Sequence, residues 1–425
     1  MFSVPIRAPM VWAASVSWSG LFKFKPMKTE SLLLSGPVRG RQLFASPGPT
    51  NFPDSVLSAI ARSASDFNDP AFRAAYAASR EALARLIGTS QHLFMYTSSG
   101  HGAWEGTMIN LFKRGETVLM VESGLHSDDW ATLCEGIGLH VEHLQADRRR
   151  GVDVSLLREV LAADGTHTIK AVCVVHNETA TGVVLPVDEI RETLDATGHP
   201  ALLVVDAVSS IACCAVRMDA WGVDALIGSS QKGLMQPVGL GFTAVNARAL
   251  SRHLKIDAPN GYFNWKTMLE RPQRSFSGTA PNNLIFGLNE ALRLIQEEGD
   301  ERLYARHARL AGGVRAAVMA WSRGGGPSLY CLQPERASQS VTTVVMPEGW
   351  DAEPLRALLR SRFNVLLAGG LGDLFSRTFR IGHMGDLNEA MILGVLSCVE
   401  LGMRALDIPH GKDGVQATLD YFSAF

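Results

Sequence analysis

The chain has 425 residues, 46% of them hydrophobic and 19% charged, which excludes a disordered or low-complexity protein and gives length for two domains. Lys and Arg number 40 against 42 Asp and Glu, a formal net charge of −2, so the basic excess of a nucleic-acid binder is missing. None of the six cysteines (Cys134, Cys173, Cys213, Cys214, Cys331, Cys398) forms a CxxC pair, so they are expected as buried apolar side chains in a reducing compartment, with no metal site or disulfide framework.

The first 40 residues have no acid before Glu30 but carry Arg7, Lys23, Lys25 and Lys28. Their uncharged stretch, residues 8–22, is too short to span a bilayer. The segment is expected to be a tail without function, or sequence upstream of a start at Met27; a signal or transit segment is the other reading. The expected location is the cytoplasm, with no membrane association.

From residue 41 on, short apolar runs alternate with amphipathic stretches. Strands are predicted at residues 93–97, 117–122, 169–176, 201–208, 225–228 and 240–245, with helices at 102–112, 128–136 and around 187–196. Strands rich in Val and Leu on both faces, alternating with helices, imply a mostly parallel sheet covered on both sides, an α/β doubly wound architecture. The pattern changes near Asn283. Helices are predicted at 284–298, 301–322, 353–362 and 390–401, with strands near 329–332 and 341–346, as in a smaller α+β domain. The expected division is an extension over 1–40, a large domain over 41–283 and a small domain over 284–425.

Asp206 ends the apolar run Leu202-Leu203-Val204-Val205-Asp206, and Lys232 lies in Gly228-Ser229-Ser230-Gln231-Lys232-Gly233 after the next short strand. A carboxylate at a buried strand end is costly unless paired, and ligands bind at the carboxyl ends of strands in such sheets. A helix cap and a solvated lysine are the bland alternatives, but neither explains the matched ends. A lysine that forms a Schiff base and a carboxylate that faces a pyridine nitrogen are what pyridoxal 5'-phosphate chemistry needs. Upstream, Ser98-Ser99-Gly100-His101-Gly102 follows a strand and opens a helix, where backbone N–H groups can meet a phosphate. His176-Asn177-Glu178-Thr179 is a polar cluster past another strand end. Arg380, inside the apolar run Thr378-Phe379-Arg380-Ile381-Gly382, needs an anion, either a bound carboxylate or a buried ion-pair partner.

With these motifs, and with Pro47-Gly48-Pro49-Thr50-Asn51, Ala103-Trp104-Glu105 and Trp221-Gly222-Val223-Asp224, the chain resembles the fold-type I, class V aminotransferases, in particular the bacterial serine–glyoxylate branch, over about residues 42–414. The resemblance implies a large mostly parallel seven-stranded sheet domain, pyridoxal 5'-phosphate, and a homodimer with shared active sites. It implies that Lys232 forms the Schiff base and Asp206 faces the pyridinium nitrogen. It implies that Ser99, Gly100, His101 and Gln231 hold the phosphate, that Thr179 bonds near the phenolic oxygen, and that His126 takes the position of a ring stacked on the cofactor. Arg380 would bind the substrate α-carboxylate, with Pro49, Thr50 and Asn51 lining the pocket. Thr279 would reach the phosphate of the partner subunit.

The implied activity is amino transfer from a small L-amino acid, serine first, to glyoxylate, giving hydroxypyruvate and glycine. Aspartate, alanine or pyridoxamine as donor, with glyoxylate or pyruvate as acceptor, is the alternative; a non-catalytic cofactor-binding protein is a remote one. Two departures bear on the donor: Ser277-Gly278 stand where the branch carries Pro-Tyr before Thr279, and His126 replaces a Phe, Tyr or Trp.

Overall fold

The computed structural model describes residues 39–259, 261–270 and 276–424. Residues 1–38 of the expected extension, and Arg274 and Ser275 of the loop before Thr279, lie outside the described residues. In chain order the strands are β1 (Leu43–Ala45), β2 (His92–Ser98), β3 (Thr117–Glu122), β4 (His140–Gln145), β5 (Ile169–Val175), β6 (Asn177–Glu178), β7 (Val183–Val184), β8 (Leu202–Asp206), β9 (Ala225–Ser229) and β10 (Gly239–Val245), followed by β11 (Ser328–Leu329), β12 (Val341–Val345), β13 (Val365–Gly369) and β14 (Thr378–Gly382).

The larger sheet has seven strands in the order β2-β10-β9-β8-β5-β3-β4. β10 runs antiparallel to both its neighbours, β2 and β9, and the remaining pairs are parallel. Successive residues of a strand face opposite sides of a sheet. Leu203 and Val205 therefore join one core, with Leu93, Val121 and Val172, while Leu202 and Val204 join the other, with Tyr96, Met120 and Trp104. Both faces are covered, which is why the central strands read as unbroken apolar runs. The same alternation puts Asp206 on the face of Leu202 and Val204, the face packed by the helix Gly100–Leu111 that carries Trp104.

The register brings the active ends together. Val175 pairs with Asp206 across β5 and β8, and Asp206 pairs with Ile227 across β8 and β9. The carboxyl ends of three neighbouring parallel strands thus present the loop after β5, Asp206, and the turn that leads from Ser229 to Lys232.

The smaller sheet has the order β1-β13-β14-β12-β11. Its β1 comes from the start of the described chain and runs parallel to β13, with Leu43 opposite Val365. Ala45 and Leu43 pack into the core under this sheet. The helix Asn282–Glu298 buries Ile285, Leu288, Leu292 and Ile295 in the core of the larger sheet. Three residues near the start therefore belong with the smaller sheet, and the first helix after 283 packs with the larger one.

Expected elements that match in kind begin and end within four residues of the predicted positions, and the strand at Thr117–Glu122 matches at both ends. The helix expected from 128 starts at Leu125, because Ser127 Oγ accepts the backbone N–H groups of Ser123 (2.9 Å) and Gly124 (3.1 Å) and extends the first turn backwards.

Candidate active site

Lys232 leaves β9 through a tight turn and is half-buried. Its Nζ donates to Pro47 O at 2.7 Å, and its own carbonyl accepts from Thr50 Oγ1 at 3.0 Å. The segment 47–51 is thereby fastened to the lysine at both ends. Gly48 has φ +138°, a conformation that side chains rarely adopt, and a Cβ there would stand 2.6 Å from Lys232 Cε. Glycine at 48 is thus what leaves room for the amine. Burial and the nearby Arg380 charge pull the lysine down to about 8, with Asp206 opposing them. An amine near 8 is free base often enough to take a proton at neutral pH.

Asp206 is 5% exposed. Its Oδ2 accepts from Trp104 Nε1 at 2.8 Å and its Oδ1 from the Val208 N–H at 2.7 Å. Burial raises it to about 6 in spite of these bonds and of His126. A carboxylate held this way favours a cation beside it.

The helix Gly100–Leu111 opens directly after β2, and its N-cap, Ser99, makes no side-chain capping bond. Its first N–H groups have no acceptor from that side chain, and the helix end carries partial positive charge. The space in front is cut to glycine size: a Cβ at Gly102 would stand 2.7 Å from Ser98 Cβ, and one at Gly241 would stand 2.8 Å from Ser99 O. His101 stands exposed in the first turn, its ring centroid 4.4 Å from that of Trp104. Gln231 Oε1 accepts from Ser229 Oγ at 2.5 Å.

Three further side chains complete the cluster, from the helix that starts at Leu125, from β6 and from β14. Glu178, fully buried, lies 2.5 Å from His126 Nδ1 through Oε1, accepts the His126 N–H at 3.0 Å through Oε2, and takes the Ala180 N–H at 2.9 Å. Burial alone would lower His126; the Glu178 charge and hydrogen bond outweigh it and raise it. Burial likewise pushes Glu178 up, and His126 with the backbone donors brings it below its ordinary value. Arg380, 7% exposed on β14, donates from Nε to Gly369 O at 2.7 Å and from Nη1 to Thr179 O at 3.0 Å. No ion pair joins it to a carboxylate among the described residues. The guanidinium thus spends these two donors on backbone carbonyls, with the buried Glu178 charge acting on it from nearby.

Residues 43–372 match the family described as aminotransferase class-V. The chain belongs to this family. It is 39% identical over 386 residues to a serine–glyoxylate aminotransferase of Hyphomicrobium methylovorum, covering 89% of this chain and 93% of that protein. It is 37% identical to an L-aspartate–glyoxylate aminotransferase of Paracoccus denitrificans, over 88% and 95% of the two chains. Among solved structures it is similar to the pyridoxamine–pyruvate aminotransferase of Mesorhizobium loti, with TM-score 0.84, 26% identity, and coverage of 92% and 99%.

This class-V aminotransferase uses pyridoxal 5'-phosphate. The residues present fit that group. They offer an amine for its aldehyde, a buried carboxylate for its ring nitrogen, a flat imidazole for its ring face, and uncapped helix N–H groups with glycine-sized clearance for its phosphate.

Lys232, Asp206, His126, Glu178 and Arg380 act on one another's charges, and His101 feels both His126 and Lys232. Thr50 is buried against Lys232, while Pro49 is exposed and Asn51 Nδ2 bonds to Phe44 O at 2.7 Å. Thr179 is buried and contributes its carbonyl to Arg380. Thr279 is exposed, and among the described residues no hydrogen bond ties it to the cluster. Sequence reasoning missed two members. Trp104, four residues past Gly100, was legible as the helix position facing the sheet. Glu178 stands in the polar motif after β5, but only the fold reveals that it faces His126.

Proposed function

We propose that the enzyme transfers the amino group of a small L-amino acid, serine first, to glyoxylate, yielding hydroxypyruvate and glycine. The observation that carries this reading is a buried Arg380 that makes no ion pair with a carboxylate among the described residues, in the same charged cluster as a lysine depressed to about 8. Serine as donor is supported by the likeness to the Hyphomicrobium enzyme, and glyoxylate is common to the names of both relatives.

In this reading Arg380 receives the α-carboxylate through guanidinium N–H groups and so fixes which face of the α-carbon meets Lys232. The Lys232 amine would take the α-proton as general base and hold it for return. Bound pyridoxal 5'-phosphate supplies an electron sink for the pair left behind. Asp206 keeps the ring nitrogen protonated, and His126, held by Glu178, covers the ring face. Ser99, Gly100, His101 and Gln231 hold the phosphate, Thr179 bonds near the phenolic oxygen, and Pro49, Thr50 and Asn51 line the pocket. Thr279 serves the phosphate of a second copy, which makes the working unit a homodimer in the cytoplasm. The working division is a large domain over 41–283 and a small domain over 284–425, with Leu43–Ala45 lent to the small one and the helix Asn282–Glu298 packed on the large one.

A second reading, another donor such as aspartate, alanine or pyridoxamine, is favoured by Ser277-Gly278 before Thr279, which removes a side chain from the expected pocket wall. The deciding experiment is a panel of serine, aspartate, alanine and pyridoxamine against glyoxylate and pyruvate, read as kcat/KM. The highest value for serine with glyoxylate, with ping-pong kinetics, is expected. A tenfold or larger preference for another pair would replace the proposal.

A further inference from the structure

Away from this cluster, a cavity of about 400 Å³ lies where residues 149 and 182 meet the smaller sheet and the helix Asp300–Ser322. That is room for a small ligand. Arg149 and Arg315 line it, and none of its lining residues is Asp or Glu. Arg315 donates from Nη1 to Ser338 O at 3.1 Å, and burial lowers its hold on its proton. Arg149 donates to Tyr330 O at 2.8 Å and Leu329 O at 3.2 Å, with its guanidinium 5.1 Å from the Tyr330 ring centroid. Among the described residues neither arginine has an ion-pair partner. Each guanidinium has five N–H donors, so both retain donors beyond these carbonyl bonds.

Two cations lining one partly open cavity without an anion repel each other, and an anionic ligand offsets that cost. The rest of the wall selects its kind. Met319 and Leu332 present carbon surface, which suits a carboxylate with an aliphatic body better than a fully hydrated phosphate. The cavity also adjoins the loop of the reaction site. Gly182 O accepts from Ser338 N at 3.0 Å, and Thr343 Oγ1 donates to Ala180 O at 3.2 Å. Thr343 in turn stands opposite Arg380 across β12 and β14.

We propose that the cavity between Arg149 and Arg315 is a second binding site, separate from the transamination site, for a small organic carboxylate. It does not depend on which donor the enzyme uses.

The probe is butyrate, titrated by calorimetry into cofactor-loaded Arg380→Met enzyme, where the expected carboxylate clamp of the reaction site is gone. One butyrate per chain is expected to bind. Adding Arg315→Met should weaken it by at least about tenfold, since hydrogen bonds to a charged group are the strong ones. The cofactor absorbance and Tm should stay as in the parent. Arg149→Met, made separately, should weaken butyrate likewise and covers the case in which the Arg315 variant fails to fold. Absence of butyrate binding in Arg380→Met, or equal affinity after loss of Arg315 and of Arg149, would overturn the site. Inorganic phosphate that binds more tightly than butyrate would overturn the assignment to an organic acid.

Discussion

Glu178 is tied to His126 twice: Oε1 lies 2.5 Å from the imidazole Nδ1 and Oε2 accepts the backbone N–H of the same residue at 3.0 Å. The acid therefore fixes both the position of the histidine and its charge. Glu178→Gln keeps the shape but removes the charge and one acceptor. The His126 titration, followed by NMR, should move to lower pH. Cofactor affinity should fall by roughly tenfold, the worth of about 1.4 kcal/mol in a lost charge-assisted bond. A titration midpoint that stays where it was would show that another group sets the imidazole.

Much of this site is legible in the amino-acid sequence, because chemistry and strand ends coincide. Asp206 closes an apolar run, and the alternation of its strand fixes the face it takes. Lys232 is legible for the same reason. What stays hidden depends on register and on edge strands. β4 carries exposed His140, His143 and Glu142 at the sheet margin, so it lacks the apolar run of a central strand. β1 is three residues long, and only its pairing with β13 gives it meaning. The contact of Glu178 with His126 joins the short strand β6 to the first turn of the helix from Leu125, segments that follow two different strand ends, a relation that no spacing in the chain encodes. At Arg380 the hydrogen-bond partners among the described residues are the carbonyls of Gly369 and Thr179, which follows from how β13 and the segment after β5 meet it in three dimensions.

Arg380→Ala should raise KM for the amino donor and the 2-oxo acid together. Loss of a charge-assisted clamp is worth about 2–4 kcal/mol, roughly 30- to 1000-fold. The carbonyls of Gly369 and Thr179 would lose their donor too, so Arg380→Lys is the companion. It keeps the charge without the fork and should recover only part of the affinity. Steady-state kinetics with both substrates checks this. A KM within threefold of the parent for Arg380→Ala would mean that the carboxylate binds elsewhere.

Lys232→Ala should abolish the visible absorbance of the lysine-linked cofactor, while far-UV circular dichroism stays unchanged. Gly48→Ala tests the space beside the same amine. Its methyl would crowd Lys232 Cε at 2.6 Å and Cδ at 2.7 Å, on a backbone at φ +138°. The lysine must then shift, and the cofactor band should weaken or move although every charged group is intact. Parental absorbance and kcat in Gly48→Ala would show that the segment yields freely and does not hold the amine.

Asp206 gives a pH dependence with a definite sign. Burial raises it from an ordinary value of 3.8 to about 6, so the folded, cofactor-free protein binds this proton more tightly than the unfolded chain does. The stability it contributes therefore grows as pH falls through about 6 and is complete below about 4. A rise of this size corresponds to about 3 kcal/mol at full extent. Asp206→Asn lacks this titration. The stability difference between parent and variant, measured by denaturant unfolding without cofactor, should shift toward the parent between pH 8 and 5. Bound cofactor puts a cation beside the carboxylate and lowers its proton affinity, so the same difference should flatten in loaded protein. A difference independent of pH without cofactor would mean that the carboxylate ionises like an exposed one, and the case for a buried anion waiting on a pyridinium would fail with it.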